Sequence, residues 1–163
     1  NPCPCGYYGH PDRPCTCTPS AIKRYLGRVS GPLLDRLDIQ VEVAPVRYED
    51  LASTAREEGS ASIRERVAAA RKIQQKRLAP YGESCNARIP AGALGEVCRL
   101  TPAADRILQM ACERLNLSCP AYDRIRKIAR TIADLDGSER IDTPHITEAI
   151  QYRSLDRKYW AGR

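Results

Sequence analysis

Apolar residues recur with a period near 3.6 through residues 62–153, which predicts helices and no strands there. Ser62 and Glu65 have the spacing of a capping box, so the first helix is predicted over 62–78. Its many basic side chains are typical of a solvated amphipathic face, with a phosphate or partner contact as the alternative. The remaining helices are predicted at 90–98, 102–115, 118–137 and from 143 onward. Five helices without strands predict a helical bundle.

The pattern changes in the first 43 residues. Ser20 is predicted to cap a short helix, and apolar residues at 33, 34 and 37 have the spacing of another. Residues 39–43 then alternate strictly between apolar and polar, which predicts the only clear strand of the chain. A single strand is not stable alone. We therefore expect its sheet partners to precede Asn1, and the chain to be a piece of a longer protein.

Residues 1–19 contain four cysteines in the pattern C-x-C-x9-C-x-C and almost no aliphatic side chains. Such a segment cannot bury a core of its own, so a cross-link is needed to hold it. Four thiolates around one tetrahedral Zn²⁺ would do so, with disulfides or free thiols as the alternatives. His10 is a candidate to replace one cysteine or to support the site. The predicted metal ligands are Cys3, Cys5, Cys15 and Cys17.

The other four cysteines are scattered, which favours free thiols in a reducing cytoplasm. Net charge is +6, with a pI near 9.0, which favours acidic partners such as nucleic acid or nucleotide phosphates. No apolar run reaches membrane-spanning length, so no membrane partner is expected. The sequence lacks a Gly-Lys-Ser/Thr phosphate loop, so this chain alone is not expected to hydrolyse nucleotide. His145 falls in the first turn of a predicted helix and is interpreted as a surface residue.

Several runs of the sequence resemble one family. They are NPCPCG, PCTC, RYLGRVSGPLLDRLDIQVEV, IRERVAAAR and IARTIADL. These runs are similar to those of magnesium-chelatase-like AAA+ ATPases of the competence-associated ComM/YifB family. The resemblance implies a mainly α chain in which residues 1–46 form the end of an AAA+ α/β core. That part would carry one strand, a cysteine-rich zinc-type loop and an arginine-finger segment, and residues 47–163 would form the helical lid.

The resemblance also implies roles for individual residues. Asn1 matches the sensor-1 residue that helps to position the attacking water, and Arg36 matches the arginine finger that reaches a neighbour's ATP. The alternative for Arg36 is a helix-surface side chain that pairs with the aspartate at position 35 or 38. At the position of the lid's sensor-2 arginine this chain has Pro120, which cannot contact a phosphate. Nearby cations are the candidates to compensate: Arg124, Lys127 and Arg130.

Taken with the family, these features predict part of an ATP-dependent hexameric motor in the cytoplasm. It would act on DNA, as in branch migration during natural transformation, and the full-length protein would use ATP and Mg²⁺. A zinc-stabilised DNA- or protein-binding module without ATPase activity is the main alternative. A chelatase-type motor subunit that acts on a tetrapyrrole is a third possibility, against which the cysteine loop argues.

Overall fold

The structure is a computed structural model that describes residues 1–43, 45, 46, 48, 52 and 58–153. The chain divides into two compact units. The first contains Asn1–Val41 together with the end of the chain from Arg153, and the second contains Glu42–Tyr152. The described residues are mostly helical, which confirms the predicted fold class. The predicted boundary at 46/47 stays a prediction.

Within residues 1–41, the first unit has two short helices, α1 (Pro19–Leu26) and α2 (Gly31–Arg36). Helix α1 is capped by Thr18, whose hydroxyl accepts a hydrogen bond from the amide of Ala21 at 3.3 Å. The prediction that Ser20 caps this helix is wrong, because Thr18 is followed by proline at the first helical position, where proline is favoured. In α2 the Ser30 hydroxyl accepts from the Leu33 amide in the same way.

The predicted strand at 39–43 is not formed. These residues have no regular secondary structure, and Ile39, Val41 and Val43 are 54%, 63% and 85% exposed. Within the described residues, the one bridge between extended segments is an isolated parallel pair, Leu100 with Ile141. Alternation makes a segment competent to form a strand, but a strand forms only against a partner that pairs its backbone.

In the second unit the structure describes five α-helices from Ser60 onward. Helix α3 begins at Ser60, and its N-cap is Gly59 without a side-chain hydrogen bond, so the predicted capping box at Ser62 is wrong. The Ser62 hydroxyl donates to Glu58 instead. The segment predicted as a helix at 90–98 is a 3-10 turn (Ala91–Ala93) that leads into a one-turn helix. The helices are α3 (Ser60–Leu78), α4 (Leu94–Val97), α5 (Pro102–Leu115), α6 (Cys119–Leu135) and α7 (Thr143–Gln151).

Helix α6 is the centre of this bundle, since α3, α4 and α7 all pack against it. Ile125, Ala129 and Ala133 are completely buried at a spacing of four residues, so one stripe of α6 faces the core. Cys98 is also completely buried, and burial raises its pKa to about 11, as suits a small apolar side chain. In the part of the chain that the structure describes, no helix is long and apolar enough to cross a bilayer.

The sequence suggested that His145 is a surface residue, but the residue is buried, with 5% of its surface exposed. Its Nδ1 accepts a hydrogen bond from the Asp142 amide at 2.9 Å, which completes a capping box at the start of α7. Its Nε2 lies 3.1 Å from Oδ2 of Asp136. Asp142 in turn accepts from the Thr101 hydroxyl at 2.7 Å and from the Thr143 amide at 2.8 Å. This set therefore ties the start of α7 to the start of α5.

The bundle is expected to lose stability in acid through Asp142. The Thr101 hydroxyl and the Thr143 amide lower the pKa of this carboxyl, so its stabilising effect is complete above its unfolded pKa and is lost as pH falls through the folded pKa. Unfolding followed by circular dichroism between about pH 5 and about pH 3 should show a smaller loss in Asp142→Asn than in the wild type. Asp105→Asn, an exposed first-turn aspartate of α5, is the control. Equal losses in Asp142→Asn and wild type would contradict this assignment.

Candidate functional site

Four cysteine sulfurs converge in the first unit. The Sγ atoms of Cys3, Cys5 and Cys15 lie 3.4–3.7 Å apart, and all four sulfurs, with that of Cys17, lie within 4.8 Å of one another. Zinc–sulfur bonds of about 2.3 Å place the corners of a tetrahedron about 3.8 Å apart. A disulfide needs about 2.05 Å, and all eight cysteines of the chain are free. The geometry is therefore compatible with a metal site and differs from that of a disulfide pair.

A tight turn follows Cys3 and contains Cys5, and the sulfurs of these two residues lie 3.4 Å apart. Gly6 adopts φ +85°, a conformation that side chains disfavour, and its amide donates to the Cys3 carbonyl at 3.1 Å. The Tyr8 amide then donates to Sγ of Cys3 at 3.3 Å. The backbone of this turn therefore holds the Cys3 sulfur in place within the cluster.

The pKa values of two cysteines in the cluster, Cys5 and Cys15, differ strongly. Backbone hydrogen bonds at Tyr7 and Thr16 lower the pKa of Cys5 to about 5. A backbone hydrogen bond at Cys17 lowers the pKa of Cys15, but burial and the thiols of Cys5 and Cys3 outweigh it and raise that pKa to about 12. Four sulfurs at this separation cannot all ionise without a cation among them. A dication removes that conflict, which is the chemical reason why this donor set suits zinc.

His10 supports the cysteine loop from outside the cluster. Its Nδ1 accepts hydrogen bonds from the amides of Asp12 and Arg13, both at 3.1 Å. Arg13 donates to the Tyr7 hydroxyl at 2.9 Å, and its guanidinium carbon lies 5.4 Å from the centre of that ring. His10 therefore uses a ring nitrogen to shape the loop and is not one of the four clustered ligands.

The two residues predicted to be catalytic, Asn1 and Arg36, are both exposed and belong to the first unit. Arg36 is the last residue of α2. The next carbonyl, that of Leu37, accepts a hydrogen bond at 2.8 Å from Nη1 of Arg153, a side chain only 5% exposed. A cation at the C-terminus of a helix is favourable, so Arg153 fixes the backbone from which Arg36 projects. The side chain of Asp35 lies outside the described residues.

Arg130, one of the two cations predicted to bind a cofactor, belongs to the interior. It is 1% exposed, its Nε donates to Asp134 at 3.1 Å, and its two terminal nitrogens donate to the carbonyls of Ser138 and Glu139. A guanidinium used in this way is not presented to a phosphate, so this structure contradicts the prediction for Arg130. Arg124 is half-buried on α6, and Pro120 is exposed in the first turn of the same helix.

A buried polar network beside α6 was missed from the sequence. The carboxylate of Asp134 accepts two hydrogen bonds from Arg77, at 2.7 and 2.6 Å, and one from the Asn86 side-chain amide at 2.7 Å. With Arg130, these side chains join α3, α6 and the 3-10 turn Asn86–Arg88. The sequence signal was the spacing of Arg130 and Asp134, two charges one helical turn apart on the apolar stripe of α6.

The chain matches two family descriptions and several curated proteins. Residues 57–153 match "Magnesium chelatase, subunit ChlI C-terminal", and residues 1–51 match "Magnesium chelatase, subunit ChlI". The chain is 40% identical over 159 residues to competence protein ComM of Haemophilus influenzae and 39% identical over 159 residues to the uncharacterized protein YifB of Escherichia coli. Both alignments cover 96% of this chain. The chain spans 30% of the length of each of these relatives.

Proposed function

Because this chain belongs to the magnesium chelatase ChlI family and is similar to its ComM-like members, we propose that it serves an ATP-dependent motor. The motor would act on DNA, and the chain would supply its arginine finger, its helical lid and a zinc-stabilised loop. The observation that carries the proposal is the placement of Arg36. It is exposed at the end of α2, within the segment that matches the ChlI family, and a buried arginine anchors the adjacent carbonyl.

The chemistry of Arg36 fits a role at a neighbouring subunit's nucleotide. Its guanidinium is planar and always charged, which suits the charge that develops on a transferring phosphoryl group. The ATP and Mg²⁺ would be held by parts of the motor beyond this chain, which has no phosphate loop. Asn1 would help to orient the attacking water. Of the lid cations, Arg124 stays a proposed nucleotide contact.

The proposed zinc ligands are Cys3, Cys5, Cys15 and Cys17. Because all four positions are filled by cysteine, the metal would have no open position for a substrate and would act in folding alone. The last ligand is followed directly by Thr18, the N-cap of α1, so the metal would also fix the start of that helix. Free thiols throughout the chain support a reducing, cytoplasmic location.

DNA and further copies of the chain are the proposed partners. The net charge of +6 favours a polyanion, as do three exposed cations: Lys23 and Arg24 of α1, and Arg28 just after it. An arginine finger acts on a nucleotide bound by another subunit, so the proposal implies a ring, with six subunits as the family suggests.

The test is Arg36→Ala in a protein that joins this chain to a nucleotide-binding core. We expect rings to form and ATP to bind, while turnover falls by about 10³-fold, as for other trans-acting arginine fingers. Steady-state ATPase assays, nucleotide binding and sedimentation would separate these effects. Arg140→Ala, which removes the same side chain from an exposed position in the second unit, is the matched control. Wild-type turnover in Arg36→Ala would exclude the finger.

A DNA- or protein-binding module without ATPase activity is the second candidate, and the closed four-cysteine site beside basic α1 favours it. It predicts salt-sensitive DNA binding by this chain that Arg36→Ala leaves nearly unchanged. A chelatase subunit that acts on a tetrapyrrole is compatible with the ChlI match but gives the cysteine loop no role.

A further inference from the structure

Helix α3 carries an apolar face that continues beyond the bundle. Its buried positions begin at Ala70 and continue with Gln74 and Leu78, whereas residues 60–69 are all exposed. Ile63 and Val67 belong to the exposed part, at 41% and 46%, although they lie on the same helical face as Ala70 and Gln74. The amphipathic pattern of this helix therefore continues past the residues that pack against the bundle.

A groove of about 340 Å³ lies beside this face, within the second unit. One wall is formed by Val67, Ala70 and Arg71 of α3, and the other by Thr131 and Leu135 of α6. Gln74 and residues 85–87 complete its lining. Leu135 is itself 42% exposed, so aliphatic side chains from both helices border an open trough. We call this feature the α3–α6 groove.

We propose that the α3–α6 groove is a docking site for an acidic amphipathic helix from a partner protein. Helix-in-groove recognition places aliphatic side chains of the ligand, spaced by three or four residues, in an apolar trough between two helices. Here Val67, Ala70 and Leu135 offer aliphatic contacts, and Arg71 lines the trough as a cation for a flanking carboxylate. The proposal goes beyond the motor function and does not depend on it.

The charges around the groove favour an acidic partner over a second copy of this chain. Helix α3 carries six basic side chains and one acidic residue, Glu65. Arg66 is paired with Glu58 and Arg77 with Asp134, whereas Arg64, Arg71 and Lys72 are exposed. A second α3 in the trough would bring like charges together, which is unfavourable. The carboxylate of Asp134 does not offset them at the surface, since it is 0% exposed and paired with Arg77 and Arg130.

A labelled model helix tests the proposal with the complete 163-residue chain. The probe is a fluorescein-labelled peptide of about 20 residues, long enough to be helical, with leucines at i, i+4 and i+7 and glutamates beside them. One control peptide has lysine for each glutamate, and another has serine for each leucine. We expect fluorescence anisotropy to show binding of the leucine–glutamate peptide about tenfold tighter than that of either control. Equal affinity for all three peptides would overturn the proposal.

Two substitutions then locate the binding to the groove. Val67→Glu should weaken the binding of the leucine–glutamate peptide by about tenfold or more, since it puts a charge among the aliphatic contacts. Val67 is half exposed, so the variant should keep its helical circular dichroism. Arg71→Glu should change the ratio of the two peptide affinities by a few-fold in favour of the lysine peptide at low salt. A change of this size is what one surface ion pair contributes. Lys76→Glu makes the same charge change on α3 outside the groove and should leave the preference unchanged.

Light scattering of the chain without peptide tests whether a second copy of the chain fills the groove instead. Concentration-dependent self-association that Val67→Glu abolishes would show that a second copy fills the groove, and this would overturn the proposal. A monomer over the range of the binding experiment, together with the tenfold preference, supports it. Unchanged peptide affinity in Val67→Glu would place the binding elsewhere and would also overturn it.

Discussion

Removing zinc is expected to unfold residues 1–17 while the helices of the second unit keep their melting temperature. Cys3 is the only buried residue of that segment, so its conformation depends on the four sulfurs and not on an apolar core. Structural zinc sites supply about 10–16 kcal/mol of binding free energy, which is folding free energy where no preformed site exists. The helices of Glu42–Tyr152 have their own core and should not depend on the metal.

The measurement combines metal content with amide hydrogen exchange. Protein purified without a chelator should contain one zinc per chain, and a strong chelator should remove the exchange protection of residues 1–17. Because the sulfurs must lose their protons to bind, zinc affinity should fall as pH is lowered. Cys3→Ser should have the same effect as the chelator, whereas Cys119→Ser, at an exposed cysteine of α6, should have none. Less than half an equivalent of zinc, or unchanged protection in Cys3→Ser, would contradict the site.

Asp134→Ala is expected to destabilise the helical bundle by about 3–5 kcal/mol, the range for breaking a buried ion pair by removing one partner. The substitution leaves Arg130, whose side chain is 2% exposed, without its carboxylate, and it deprives Arg77 of two hydrogen bonds. Asn86 loses an acceptor in the same step. Burial lowers the pKa of Arg130 by penalising its charged form, and the negative charge of Asp134 opposes that effect.

Urea unfolding of wild type and variant, followed by circular dichroism, gives the difference in unfolding free energy. Asp123→Ala, which also removes an aspartate from α6 but one that is only half-buried, should change stability by less than about 1 kcal/mol. The paired variant Arg130→Met with Asp134→Leu should recover much of the loss, because an apolar pair of similar volume often matches a buried ion pair. A loss below about 1 kcal/mol for Asp134→Ala would show that the network does not hold the bundle together.

Local features were predicted well because they depend on neighbours in the chain. Helix α5 occupies the predicted residues 102–115 with Thr101 as its cap, and α6 (Cys119–Leu135) lies within the predicted 118–137 with Ser118 as its cap. Errors arose where two local signals competed. The N-cap of α1 is Thr18 and not Ser20, because a proline follows Thr18. The N-cap of α3 is a glycine, where a capping box was expected.

The sequence by itself determined the mainly helical fold, the spacing of four cysteines that makes a metal site possible, and the family. Each depends on residue types at short separations, which the chain carries without reference to its fold. Tertiary structure decided the rest. It showed that Arg130, a candidate ligand, is a buried structural residue. It also showed that His145, which was expected at the surface, is part of a helix cap. It formed no strand at 39–43 and joined Arg77 to Asp134 across 57 positions. Burial and pairing at such distances follow from packing, and no local pattern records them.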